Sequence, residues 1–134
     1  MNREKPPGKG FFLSLGETCF MFLELSHTKL DVFSVSKAFV LACYRETKSF
    51  PYEEKFSMIS QIRRAALSVH LNVTEGCSRK SLAERKRFYE IARGSLIEVN
   101  AAMDTAGYTA NQKLDELGKL MIRTFQLISK MISR

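Results

Sequence analysis

The amino-acid sequence predicts an all-α fold: an antiparallel, up-down-up-down four-helix bundle. Three observations carry that reading. Apolar residues recur at spacings of three and four in separate stretches, as at Ile59, Ile62, Ala66, Val69 and Val73, which makes one stripe on a helix and the seam of a bundle. Proline, glycine and capping-box signals punctuate those stretches and leave short links between them. Strand-like alternation and solenoid-type repeats are absent. The chain has 134 residues, enough for one domain with a real core. The bundle is assigned to residues 29–134 and an N-terminal extension to residues 1–28.

Residues 1–10, MNREKPPGKG, hold two prolines and two glycines and are expected to be disordered. Residues 11–25, FFLSLGETCFMFLEL, follow a basic leader as a signal peptide would, but Glu17 and Glu24 interrupt the run and no small-residue cleavage site follows. The run is too short and too charged to span a bilayer. It reads either as a peripheral element covering an apolar groove or as an upstream extension outside the folded domain, with Met21 as an alternative start. The extension reading is favoured.

The first helix is placed at residues 29–48. Val32, Val35, Phe39 and Ala42 share one face, and Phe33, Val40 and Tyr44 a neighbouring one, so the apolar arc is wide enough for burial on two sides or between subunits. Ser49-Phe50-Pro51 ends it, because the residue before proline avoids helical geometry. Pro51 can open the second helix, with Glu53 and Glu54 favoured in its first turn. That helix runs from about Tyr52 to Glu75, and Gly76 can end it in the left-handed conformation. Asn72 and Glu75 are placed to hydrogen-bond around the turn. Ser81-Leu82-Ala83-Glu84 is a capping box for the third helix, Leu82 to Ala106, whose tighter face is Phe88, Ala92, Ser95, Val99, Ala102 and Ala106, with Tyr89, Leu96 and Met103 beside it. Gly107 closes that helix. Thr109 to Gln112 is a second capping box, and Leu114, Leu117, Met121, Phe125, Ile128 and Ile132 carry the fourth helix to about Ser133.

Charge concentrates in the hairpin formed by the middle two helices. Residues 59–93 contain eight Lys and Arg against three acidic residues, so they hold five of the seven excess positive charges. A basic element of this density points to a polyanionic partner, against the plainer reading of a solvated helix surface. The candidate nucleic-acid-binding residues are Arg63, Arg64, Arg79, Lys80, Arg85, Lys86, Arg87 and Arg93. Arginine suits bidentate phosphate contact, which gives sequence-independent, salt-sensitive binding. A fold-back centred between Cys77 and Arg79 would bring Arg63 and Arg64 level with Gly94 and Arg93, where small side chains let the helices approach closely. For Arg63, Arg64 and Arg93 two roles are open, phosphate contact or a salt bridge to a neighbouring helix or subunit; Arg79 to Arg87 are read as polyanion contacts. Lys86–Glu90 and Glu90–Arg93 pairs would partly neutralise the third helix.

Catalytic patterns are missing. The chain has no Gly-rich phosphate loop, HExxH, GxSxG or paired helical Glu-x-x-His, so neither an enzyme nor a cofactor or metal is expected. Cys19, Cys43 and Cys77 form no CxxC unit and suit free thiols in a reducing cytoplasm, Cys77 being the one beside Arg79 and Lys80. His70 has no acid or nucleophile at catalytic spacing and reads as a surface or interface residue. The Asn72-Val73-Thr74 sequon is a chance match in a helix.

The segments FPYEEKFSMISQIRRAALSV, NVTEG and FYEIARGSL resemble the 23S rRNA intervening-sequence (S23-type) proteins, a four-helix-bundle family related to the accessory variability protein of diversity-generating retroelements. The resemblance runs from about Leu30 to the C-terminus; many relatives carry proline where this chain has His70. It implies a homopentamer arranged as a barrel around a central channel. The retroelement relatives associate through a basic surface with nucleic acid and with a reverse transcriptase. By that resemblance the chain is a ring-forming, non-enzymatic protein that binds RNA or DNA backbones. The alternative is a protein-interaction scaffold, such as a reverse-transcriptase or ribosome-associated partner. Membrane association through Phe11 to Leu25 is the third reading, and a lytic or transferase enzyme a distant fourth.

Overall fold

The computed structural model describes residues 25, 30–51, 55–107 and 115–134. They form four helices, α1 (Asp31–Thr47), α2 (Ser60–Ser78), α3 (Leu82–Thr105) and α4 (Asp115–Ser133), and no strand occurs among the described residues. Helix α1 packs against α2 and α4, and α3 packs against the same two, with the α2–α3 contact the most extensive. No helix among the described residues is long and apolar enough to cross a membrane.

The ends follow the local chemistry. Leu30 is extended just before α1, and Asp31 in the first turn meets the positive end of the helix dipole. Ser81, also extended, accepts a hydrogen bond from the Glu84 N–H at 3.3 Å, so the capping box does open α3. Gly107 at φ 82 closes α3 in the left-handed region. The second helix departs from expectation in its first described turn, which is π-helical, and at its C-terminal end; its expected start at Tyr52 lies outside the described residues. A single π-helical turn, Lys55–Ile59, feeds into α2 without a break, since Ile59 is itself helical, and α2 continues through Gly76 to Ser78. The expectations for Pro51 with Glu53 and Glu54, for the Thr109 to Gln112 capping box, for Leu114 and for nearly all of residues 1–28 lie outside the described residues.

The predicted stripe of α2 is the core: Ile59, Ile62, Ala66, Val69 and Val73 are all buried, against Phe39 and Ala42 of α1, Leu96 and Val99 of α3, and Ile128 of α4. Two faces are turned from where spacing placed them. In α3 the deep residues are Tyr89, Ala92, Leu96, Val99 and Met103, whereas Phe88, Ser95, Ala102 and Ala106 are half-buried. In α4 Phe125 is 40 % exposed while Thr124 is fully buried. Thr124 tolerates this because its hydroxyl donates to the Leu120 carbonyl at 2.6 Å, satisfying the one polar group in the helix itself.

Candidate nucleic-acid interface

The α2–α3 junction gathers most of the predicted basic residues. Past Ser78 the chain turns extended at Arg79, whose N–H donates to the Gly76 carbonyl at 3.2 Å. Arg85 Nε donates to the Arg79 carbonyl, which ties the first turns of α3 back to the junction. The Arg79 guanidinium pairs with Glu75, one turn earlier on α2, and also lies over the Phe88 ring with its carbon 4.9 Å from the centroid. Arg87 lies over the same ring at 5.2 Å. Both distances are within cation–π range. Arg79 Nε is shut off from solvent with no hydrogen-bond partner among the described residues.

Lys80, Arg85 and Arg87 are exposed and Lys86 is half-buried. Among the described residues no carboxylate lies at salt-bridge distance from these four. The expected neutralisation by Glu90 does not form; Arg93 turns instead to α4 and donates to Ser129 Oγ at 3.3 Å. The junction thus keeps an open cationic surface, with Arg79–Glu75 the one ion pair formed there among the described residues.

The other arginines part company with it. Arg63 donates from Nε to Thr47 Oγ1 at 2.9 Å and from its terminal nitrogen to the Tyr44 carbonyl at 3.2 Å, and it stacks 4.8 Å from the Tyr44 ring centroid. It is a bolt between α2 and the end of α1. Arg64 is exposed. The three do not share a level. Ser68 hydrogen-bonds Ser95 at 2.9 Å and Gln61 hydrogen-bonds Glu98, whereas a turn centred between Cys77 and Arg79 would set Ser68 opposite Tyr89. The register is displaced because α2 does not stop at Gly76. Arg63 faces α1 and Arg93 faces α4, so no compact triple patch forms. Gly94 is exposed, with no atom within 4 Å of where its Cβ would stand. The close approach of α2 and α3 occurs at Gly76 instead.

Neighbouring polar residues also play structural parts. Asn72 bonds backwards to the Ser68 carbonyl at 2.9 Å rather than around the turn. His70 sits half-buried between α1 and α2, its Nδ1 2.7 Å from Ser36 Oγ and its ring 4.8 Å from that of Phe33. The Cys77 thiol accepts from Tyr89 OH at 3.6 Å; burial raises its pKa, outweighing the Tyr89 bond and the Arg85 charge, both of which lower it. It is not an activated nucleophile.

Sequence reasoning assigned Phe88 to the core stripe and missed that its half-buried ring lies under two guanidiniums. The available signal was its position directly after Arg85-Lys86-Arg87, where an aromatic ring can take neighbouring guanidiniums.

The chain belongs to the 23S rRNA-intervening sequence protein family, whose model matches residues 28–134. No curated protein matches the sequence.

Proposed function

We propose that this chain is a non-enzymatic, cytoplasmic protein that binds RNA or DNA backbones as a ring-shaped homo-oligomer. The observation that carries the reading is the α2–α3 junction, which gathers Arg79, Lys80, Arg85, Lys86 and Arg87, two of them (Arg79 and Arg87) over the Phe88 ring, with Arg79–Glu75 the one ion pair among the described residues of the junction. Cations without internal partners lose little when they trade water and counterions for phosphate. The family's description refers to 23S rRNA and supports a nucleic-acid setting.

Helix direction and assembly belong to the same proposal. Contacts Ser36–His70 and Thr47–Arg63 across α1 and α2, and Gln61–Glu98 and Ser68–Ser95 across α2 and α3, pair rising with falling numbers, as an up-down-up-down antiparallel bundle requires of those neighbours. Every helix keeps a large apolar side chain more than half exposed: Leu41, Leu71, Leu82 and Ile97, and Ile122. Such surface supports burial between copies, five of them by the resemblance.

The test is fluorescence anisotropy with a labelled single-stranded RNA across a salt series. Binding should weaken steeply with salt, and changing Arg79, Lys80, Arg85 and Arg87 to Ala should remove most of it, flattening the slope by about 3. Salt-insensitive binding, or unchanged binding by that variant with its helical signal intact, rejects the reading. Native mass with and without nuclease reads the assembly.

A second reading, a protein-interaction scaffold, is favoured by the groove between α3 and α4, where Leu96, Ile97, Met121, Ile122 and Phe125 line an apolar depression. A partner retained after nuclease treatment would move the conclusion there.

A further inference from the structure

We propose that Phe88 is the positioning residue of this basic face, its ring fixing the Arg79 and Arg87 guanidiniums as a pair that grips successive phosphates of one strand. The inference rests on the nucleic-acid reading above and adds to it a residue that carries no charge.

The two ring contacts, 4.9 and 5.2 Å from one centroid, hold the guanidinium carbons no more than about 10 Å apart. A strand within a duplex carries one charge about every 3.4 Å of helix axis, so the pair reaches no further than neighbouring phosphates. Free arginine side chains lose rotamer freedom on meeting a phosphate, and a ring that already orders them removes part of that loss. A guanidinium laid over a ring keeps its in-plane N–H donors for a bidentate acceptor. One side of Arg79 is taken by Glu75, while Arg87 has no ion-pair partner among the described residues.

The ring itself is held. Phe88 is half-buried, and its Cβ would stand only 3.2 Å from a Cβ built on Gly76, so α2 backs it closely. Arg79 is fixed through its backbone by the Arg85 side chain. Because guanidiniums occupy the ring, it is not offered as a base-stacking platform. The face should therefore read backbone charge and not base identity.

The experiment measures affinity and salt slope for a fluorescein-labelled single-stranded RNA of mixed sequence, using the full chain. Phe88→Leu should weaken binding about tenfold at unchanged salt slope, since no cation is lost, and Phe88→Tyr should restore it. Arg79→Lys with Arg87→Lys keeps the charge, changes no residue of the apolar core and should reproduce the loss, which covers the case where Phe88→Leu fails to fold. Full affinity in both Phe88→Leu and the double lysine variant overturns the proposal. If the double alanine variant of Arg79 and Arg87 still loses binding and flattens the slope, the nucleic-acid reading stands without it. If that variant also binds normally, both fall.

Discussion

Gly76 and Tyr89 approach so closely that a Cβ on residue 76 would lie 2.5 Å from Cε1 and 2.8 Å from Cδ1 of the ring. The glycine lies inside α2, where the helix gains nothing from its flexibility. It is there for space. The Tyr89 ring is 5 % exposed and its hydroxyl is tied to Cys77, so it has little freedom to withdraw. Gly76→Ala should destabilise the fold by about 1–3 kcal/mol despite alanine's better helix propensity, as overpacking does. Gly94→Ala, with open space at its Cβ, should stabilise by about 0.5–1 kcal/mol. Urea unfolding of both variants decides it; equal stabilities would mean that Tyr89 moves aside.

The fold class and the α2 seam were legible because a stripe at spacings of three and four needs only helix geometry, and Ile62, Val69 and Val73 are fully buried as that geometry demands. The α3 and α4 faces were less so. Small and aromatic residues recur there on two adjoining stripes, and pattern alone does not say whether Phe88 or Tyr89 goes inward. The register of the hairpin was misplaced for one reason: a glycine near a helix end reads as a stop, whereas Gly76 answers a ring thirteen residues away in sequence. The candidate site divides the same way. The charge excess of residues 59–93 was countable, but which guanidiniums are spoken for depends on Thr47, Tyr44 and Ser129, on helices that no local motif links to α2 or α3.

Arg63 is predicted to matter for stability and not for binding. It answers Thr47, a fully buried residue whose hydroxyl donates to the Cys43 carbonyl at 2.8 Å and accepts from Arg63 Nε. Thr47→Val removes that acceptor and should cost about 1–3 kcal/mol, and Arg63→Ala a similar amount. With the helical signal retained, Arg63→Ala should leave the salt slope of RNA binding unchanged while Arg87→Ala lowers it by about 0.7. A slope change for Arg63 equal to that for Arg87 would return it to the interface.

The thiols set an alkaline limit. Burial pushes Cys43 from the ordinary 9.0 up to about 12 and raises Cys77 as well. The folded chain then holds these protons more tightly than the unfolded chain, which releases them first. Their contribution is whole below pH 9 and is lost as pH rises from about 9 towards 12. Cys43→Ala should show a shallower loss of stability over that window in pH-dependent urea unfolding. Iodoacetamide at pH 8 should modify Cys43 only after denaturation; rapid labelling of the native protein at Cys43 would contradict its burial.

Glu75 is the carboxylate that forms an ion pair in the cationic junction, and its removal should sharpen binding. It pairs with Arg79 in the favourable order, the acid four residues before the base, with side chains 49 % and 39 % exposed. Such a pair adds little stability, so Glu75→Gln should change the unfolding free energy by no more than about 0.5 kcal/mol. Its charge, however, competes with phosphate for the same guanidinium. Releasing Arg79 should tighten RNA binding about two- to fivefold at low salt, the fold-change equivalent of an exposed ion pair, with the gain shrinking as salt screens both contacts. Anisotropy titrations at two salt concentrations measure this. Weaker binding by Glu75→Gln would instead give Glu75 the task of aiming Arg79, and would leave Phe88 insufficient to hold it alone.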